Sequence, residues 1–169
     1  MKTWLTLILG TISITGGMTY LVMHQGAQSL TDATSDDLST PSKAEFSGGP
    51  IEGNLLSIAG GDSRVGKESI VTIPIKCAAD TPLRLELLRV SCACVNGLYL
   101  AGQKIEENQP VTIKPGETAT LKISWTPKPE MSGNPAYRFS INFFVNDPQY
   151  SPTFRIELTT RVQPKEEPK

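Results

Sequence analysis

The side chains best suited to chemistry in this sequence are two cysteines separated by a single residue. Cys92 and Cys94 directly follow a run of strand-forming residues that ends at Val90. In an extended chain both side chains project from one face, and their Cα atoms lie about 6.6 Å apart. That separation is near the upper limit for a disulfide, so a bond between Cys92 and Cys94 requires a local bend.

Three kinds of chemistry are open to this cysteine pair. An oxidising compartment favours a structural disulfide, or two thiols packed at the edge of a domain, and we rank this interpretation first. Two thiolates on one face also suit a soft ion such as Cu(I), although no Met or His stands nearby in sequence. The third alternative is thiol redox exchange, but alternation places the nearest basic residue, Arg89, on the opposite side of the strand.

The third cysteine, Cys77, is predicted to remain an unbonded, buried thiol. It ends a predicted strand over residues 69–77, which we expect to form a hairpin with the next strand over residues 83–90. The extended chain from Leu83 to Cys92 spans roughly 30 Å, far beyond the reach of a disulfide. We therefore predict that Cys77 packs like a small hydrophobic residue.

The inventory of other residues predicts neither catalysis nor a cofactor. The only histidine, His24, lies far in sequence from the folded part of the chain, which excludes a histidine-based triad there. Carboxylates such as Asp80, Glu117 and Asp147 fall in predicted turns, where they are favoured for backbone reasons. A formal net charge of −1 without a basic stripe argues against nucleic acid as a partner.

Residues 1–26 are predicted to be a signal anchor that crosses a membrane once. Leu5 to Met23 carries no charge, and as a helix this segment is about 28 Å long, close to the thickness of the hydrocarbon layer. Lys2 precedes the segment and the next basic residue is Lys43, so the rest of the chain is expected outside the cytoplasm. A cleaved signal peptide is the alternative, although the residues after Met23 match a cleavage site poorly.

Beyond the anchor, the pattern predicts one β domain. Residues 27–53 are rich in small and polar residues and are predicted to be a flexible linker, and residues 164–169 a disordered tail. Between them, residues 54–163 alternate with period two in six or seven short strands separated by Gly, Pro and Asp turns, among them a predicted turn at Gly60-Gly61-Asp62. This predicts an all-β, immunoglobulin-like antiparallel β-sandwich, with Pro74 at an edge or a bulge.

Three runs of residues resemble a bacterial domain-of-unknown-function family. They are Thr81-Pro82-Leu83-Arg84-Leu85, Val90-Ser91-Cys92-Ala93-Cys94 and Ile113-Lys114-Pro115-Gly116-Glu117. The hallmark of that family is Ser-Cys-Gly-Cys-Thr followed by a Pro-Gly turn; Ala93 and Val95 replace its Gly and Thr. The resemblance covers roughly residues 55–162. It implies an immunoglobulin-like sandwich related to major sperm protein and ASH domains, in an envelope protein with a signal or anchor segment.

The expected function is a membrane-tethered, non-enzymatic interaction or structural module of the bacterial envelope, with an unknown protein partner. The candidate contact surface is a long loop over residues 96–111, where Leu98, Tyr99 and Leu100 look exposed. The alternative is that these three residues continue a buried strand. The competing function is copper handling or thiol redox exchange through Cys92 and Cys94.

Overall fold

The computed structural model describes residues 40–150 and 152–166. The predicted anchor, residues 1–26, and the first part of the predicted linker lie outside the described residues. Within the described ranges, no helix is long and apolar enough to cross a bilayer. The strands of this part are β1 Ala44–Phe46, β2 Ile51–Glu52, β3 Leu55–Arg64, β4 Ser69–Cys77, β5 Leu83–Val90, β6 Val95–Leu100, β7 Gln103–Lys104, β8 Pro110–Ile113, β9 Thr118–Trp125, β10 Tyr137–Val145 and β11 Phe154–Gln163.

These strands form two sheets that pack face to face. Sheet A has the order β1-β4-β9-β6-β7, and sheet B has the order β2-β3-β11-β10-β5-β8. Neighbouring strands are antiparallel, except that β3 runs parallel to β11. Strand β1 thus pairs with β4 in sheet A, and β3 pairs with the last strand, β11, in sheet B. The predicted all-β, immunoglobulin-like sandwich is confirmed, and the parallel pair corrects the expectation of a purely antiparallel one.

The core forms because alternate side chains of both sheets point inward. In β9, Leu121, Ile123 and Trp125 are buried between exposed or polar neighbours, as the period-two pattern predicts. The rings of Trp125 in sheet A and Phe139 in sheet B have centroids 5.7 Å apart, so the two layers interdigitate. Burial of this two-sided apolar layer supplies the main driving force for folding.

An arm over residues 40–47 extends the domain into the region predicted to be linker. Its strand β1 pairs with the C-terminal half of β4, and Phe46 packs on Phe154 with ring centroids 4.0 Å apart. β2 also lies within the predicted linker. The folded domain thus begins before the predicted boundary at residue 54, and Ala44 and Phe46 are too few to produce a periodic signal in the sequence. At the other end, Glu166 forms ion pairs with Arg64 and Lys67, within the predicted tail.

Two local predictions are corrected by the topology. β4 and β5 do not form a hairpin, because β4 lies in sheet A and β5 in sheet B, and residues 78–82 cross between the layers. The predicted turn at Gly60-Gly61 instead lies inside β3, where the register against β11 shifts and Gly61 has φ of 67°. Glycine adopts this left-handed backbone conformation without strain, and one class of β-bulge requires it.

Pro74 lies where the neighbouring strand ends. β1 pairs with Ile75 to Cys77, and Ser47 N–H still donates to the Pro74 carbonyl at 3.0 Å. Beyond this point the side of β4 that faces β1 carries no paired strand among the described residues. A proline without an N–H is tolerated at such a position, in agreement with the predicted edge location.

Candidate functional site

The structure joins Cys92 and Cys94 by a disulfide in the segment that crosses from sheet B to sheet A. Their Cα atoms are 5.1 Å apart, shorter than in an extended chain, because Val95 N–H turns back to the Cys92 carbonyl at 3.3 Å. Ser91 before the pair bonds to Ser140 of β10, and the Cys94 carbonyl accepts from Thr126 N–H at 2.8 Å. The disulfide therefore closes a turn that is tied to both layers.

The environment of the disulfide is that of a core element. Cys92 is 7% exposed and Cys94 is 2% exposed, and Tyr137 Oη lies 3.5 Å from the Cys92 sulfur. Thiol exchange requires a thiolate to approach a sulfur atom along an open path. Burial of both residues makes that approach difficult, and the sulfur atoms are available to a soft metal ion only after reduction.

Cys77 is a free thiol with no exposed surface, on the inner face of β4 beside Ile73 and Ile75. Its Sγ lies 3.2 Å from the Thr81 carbonyl, which is within reach of a weak S–H hydrogen bond. Although the hairpin that suggested it is wrong, the expected packing role agrees with this position.

The predicted contact loop is not a loop. Leu98 and Leu100 lie on the inner face of β6 and are 2% and 4% exposed, so the alternative of a buried strand is correct for both. Tyr99 points outward, and the Nζ of Lys122 lies 5.7 Å from its ring centroid. A Cβ at Gly97 would come within 2.8 Å of the Tyr99 ring, so glycine lets this ring lie flat on the sheet. The two leucines are too deeply buried to contact a partner, and Tyr99 already packs on its own sheet.

The carboxylates divide into exposed surface groups and one structural group. Asp80, Glu106, Glu107 and Glu117 are exposed, as expected for turn residues. Asp147 is 4% exposed, and its carboxylate accepts from Ala44 N–H at 2.7 Å and Gln149 N–H at 2.9 Å. In residues 40–150 and 152–166 there is no group of three or more His, Cys, Asp or Glu side chains that could hold a metal ion.

Next to Asp147, burial raises the pKa of the Tyr150 phenol above its ordinary value of 10.0. The negative charges of Asp147 and Glu45 raise this pKa further, because a phenolate would be repelled by both. Tyr150 therefore stays neutral at physiological pH and acts as a core aromatic, edge-on to Phe46 with centroids 5.4 Å apart.

The outer face of sheet B carries a feature that sequence reasoning missed. Asn142 of β10 lies opposite Arg155 of β11 on one side and opposite Arg89 of β5 on the other. We call Arg89, Asn142 and Arg155 the arginine row. Both arginines are exposed, and within the described part of the chain neither is joined to a carboxylate within 4.0 Å. Two free guanidinium groups thus flank a side-chain amide.

A β-bulge creates this row. Leu83, Leu85 and Leu87 face the core, and strict alternation would turn residue 89 inward as well. The register between β5 and β10 shifts after Leu87, so that Arg89 lies opposite the outward Asn142. The alternation of β11 is enough to predict that Arg155 faces outward. The outward position of Arg89 could not be predicted, because the extra residue of the bulge, Leu88, has no signature in the sequence.

One shallow depression lies on the same face, at one end of the row. It has a volume of 350 Å³ and is lined by Asn54, Leu55, Asn142, Thr153 and Arg155. Asn54 Nδ2 donates to the Thr153 carbonyl at 2.7 Å, which joins two of the lining residues. The depression presents amide and guanidinium donors and is open to solvent.

The fold and this surface define an immunoglobulin-like β-sandwich with an open polar face. No protein-family model matches the chain, and no curated protein matches it. Membership of the bacterial family with the Ser-Cys-Gly-Cys-Thr hallmark therefore stays a prediction.

Solved structures provide relatives by fold. A protein of unknown function from Porphyromonas gingivalis W83 is similar with a TM-score of 0.50 and 21% identity, over 73% of this chain and 48% of that one. The chain thus spans about half the length of that protein. The ASH/PapD-like domain 7 of human CEP192 is similar with a TM-score of 0.46 and 13% identity, over 83% of this chain and 97% of that domain. The periplasmic chaperone SfaE has a TM-score of 0.45 and 13% identity, over 75% and 61%. At these identities the similarity concerns the fold alone.

Proposed function

We propose that this protein is a membrane-tethered, extracytoplasmic interaction module of the bacterial envelope, without enzymatic activity. The observation that carries the proposal is the arginine row, Arg89, Asn142 and Arg155, on an open sheet face. Arginine is enriched at surfaces that bind other proteins, and both Arg89 and Arg155 are exposed. The sandwich is the scaffold that holds this face rigid.

Support for an extracytoplasmic location comes from the disulfide and from the N-terminal sequence. Disulfides persist in oxidising compartments and are rare in the cytosol, so the Cys92–Cys94 bond fits a domain outside the cytoplasm. The uncharged segment from Leu5 to Met23 has the length of a membrane-spanning helix, and the basic residue Lys2 precedes it. These two arguments are independent of each other.

Support for binding rather than catalysis comes from the surface depressions. Three of them have volumes of 440, 320 and 350 Å³, and all are open to solvent. The largest is lined by Lys43, Glu45, Lys76, Asp80 and backbone around the buried Cys77. Along residues 40–150 and 152–166, these surfaces do not place a nucleophile beside a general base in the manner that covalent catalysis requires.

Copper handling and thiol redox exchange remain the competing function. Copper binding requires free thiols at Cys92 and Cys94, and redox exchange requires a sulfur atom that a thiolate can reach, whereas the structure has a buried disulfide at these positions. The two functions are separated by the variant Cys92→Ser/Cys94→Ser. An interaction module keeps its partner when both sulfur atoms are removed, provided that it folds, and a copper or redox protein loses its activity.

The location is tested by labelling a cysteine introduced on the exposed outer face of sheet A, at Thr120, in the full chain. A membrane-impermeant maleimide should label Thr120→Cys in intact cells after the outer envelope is opened, and the chain should sediment with membranes. Deleting residues 1–26 should abolish sedimentation with membranes. Labelling only after lysis of the inner membrane would place the domain in the cytoplasm and contradict the proposal.

The interaction is tested by capturing the tagged full chain from gently solubilised membranes after cross-linking in cells. The control is the same tag on residues 1–39 alone, which keeps the predicted anchor and lacks the sandwich. A defined set of proteins enriched on the full chain over this control is the expected result. Equal recovery on both would contradict an interaction role for the domain.

A further inference from the structure

We infer that the arginine row binds carboxylate groups of an acidic segment on a partner protein. The inference rests on the proposed interaction function and specifies its surface and the chemistry of its partner. The outer faces of the two sheets carry different cationic side chains. The outer face of sheet B carries the exposed arginines Arg89, Arg138, Arg155 and Arg161, whereas the exposed cations of sheet A are lysines at positions 76, 104 and 122.

The difference between arginine and lysine bears on recognition. A guanidinium group is planar, remains charged, and donates two parallel hydrogen bonds to a carboxylate, whereas an ammonium group acts as a point charge. The lysines of sheet A are already engaged: Lys76 with Glu45 at 3.3 Å, Lys104 with Glu106 at 3.5 Å, and Lys122 over the Tyr99 ring. The free cations suited to bidentate binding are therefore on sheet B.

Within sheet B, the arginines differ in whether they have a partner. Arg138 and Arg161 each form an ion pair: Arg138 Nη1 lies 3.9 Å from Glu157 Oε1, and Arg161 Nε lies 3.9 Å from Asp62 Oδ1. Arg89 and Arg155 have no such partner among the described residues. Because both lie opposite Asn142, their Cα atoms are separated by two strand spacings, about 10 Å. Side chains of this length converge over Asn142, or hold two carboxylates of one extended segment.

The surroundings of the row favour protein carboxylates over phosphate groups. Glu86 and Glu157 lie on the same outer face, half-buried, and would repel a densely charged polyphosphate or an anionic bilayer. Phe144 is half-buried on this face, and Leu88 is 39% exposed beside Arg89. Mixed charge with aromatic and aliphatic surface is typical of protein–protein interfaces, in which arginine is enriched and lysine depleted. The occupant is thus an acidic stretch of polypeptide that also contains apolar residues.

The test uses the full chain in zwitterionic detergent and, as the probe, a fluorescein-labelled eight-residue peptide of alternating glutamate and alanine, with fluorescence anisotropy at low salt. The variant Arg89→Gln/Arg155→Gln should weaken binding about tenfold or more, because two charge-assisted contacts are removed. Two matched controls remove the same charge: Arg138→Gln/Arg161→Gln on the same face, and Lys76→Gln/Lys122→Gln on the other. Each control should change the affinity less than about threefold, which is the effect of net charge alone.

Several outcomes would overturn the inference. One is equal weakening by all three double variants, which indicates attraction by net charge only. Another is the absence of binding by the glutamate–alanine peptide, and a third is tighter binding of inorganic polyphosphate than of this peptide, with the same dependence on Arg89 and Arg155. Circular dichroism of each variant should match the parent chain, because the replaced side chains are exposed.

Failure of this inference is distinguishable from failure of the proposed function. If the tagged chain enriches proteins over its anchor-only control, and Arg89→Gln/Arg155→Gln enriches the same set, the interaction function stands and the arginine row is not its surface. If the chain enriches nothing, the proposed function itself fails.

Discussion

The N-terminal arm, residues 40–47, is held on the sandwich by contacts that make Phe46 its main anchor. Phe46 is 8% exposed, stacks on Phe154 at 4.0 Å and meets Tyr150 edge-on at 5.4 Å. We predict that Phe46→Ala destabilises the domain substantially.

The expected magnitude follows from the burial of this side chain. A phenylalanine buries 150–250 Å² at roughly 25 cal/mol per Å², and the compactness of unfolded chains reduces the total, which leaves about 3 kcal/mol. Loss of the ring contacts of Phe46 with Phe154 and Tyr150 also lowers the free energy of unfolding. Hydrogen bonds limit detachment of the arm: Ala44 N–H to Asp147 at 2.7 Å and Ala78 N–H to the Lys43 carbonyl at 2.8 Å.

Chemical denaturation of the chain gives the free energy of unfolding, and hydrogen exchange of the Ala78 amide reports on the arm itself. Phe46→Ala should lower the unfolding free energy by about 3 kcal/mol and accelerate exchange at Ala78. Ser47→Ala is the matched control, because Ser47 is exposed and its backbone bond to Pro74 is retained. A change below about 0.5 kcal/mol for Phe46→Ala would show that Phe46 does not anchor the arm.

Three further predictions concern the sulfur pair, a buried phenol and the two sides of β4. Cys92→Ser/Cys94→Ser should lower the unfolding free energy by about 2 kcal/mol and keep the fold; a chain that no longer folds, as judged by circular dichroism, would contradict a supporting role. Because the pKa of Tyr150 is raised in the folded state, stability should be retained below about pH 10 and fall as the pH rises further. Tyr150→Phe should reduce this fall in denaturation curves taken between about pH 9 and pH 11, and an unchanged slope would count against it. Ile73→Ala, at a position with 0% exposure, should cost about 3 kcal/mol, whereas Ile70→Ala, at 50% exposure, should stay within about 0.5 kcal/mol; similar losses would contradict the assigned faces.

The sequence predicted those parts of the fold that depend on local alternation. β9 and β11 follow the period-two pattern along most of their length, so their inward residues, such as Ile123 and Ile156, could be recognised directly. The same pattern places Arg155 outward. The inward and outward faces of β9 and β11 can be predicted without knowing their neighbouring strands, because in each strand one face is buried and the other is largely exposed.

Features that depend on distant pairing could not be read from local patterns. The turn at residues 78–82 has the composition of a hairpin, yet it crosses between sheets because β4 and β5 find partners in different layers. Arg89 faces outward through a bulge that only the register with β10 defines. Leu98 and Leu100 looked exposed because β6 is short and follows the cysteine turn, and pairing with β9 is what buries them.

We propose that the outer face of sheet B contacts a partner protein outside the cytoplasm through the arginine row. The experiment that decides this places a photo-activated cross-linking amino acid at Asn142 in the full chain in living cells, with Thr120 on sheet A as the control position. A discrete protein adduct is expected from position 142 and none from position 120, and Arg89→Gln/Arg155→Gln should abolish the adduct. No adduct from position 142, or the same adduct from both positions, would show that the arginine row does not bind a partner.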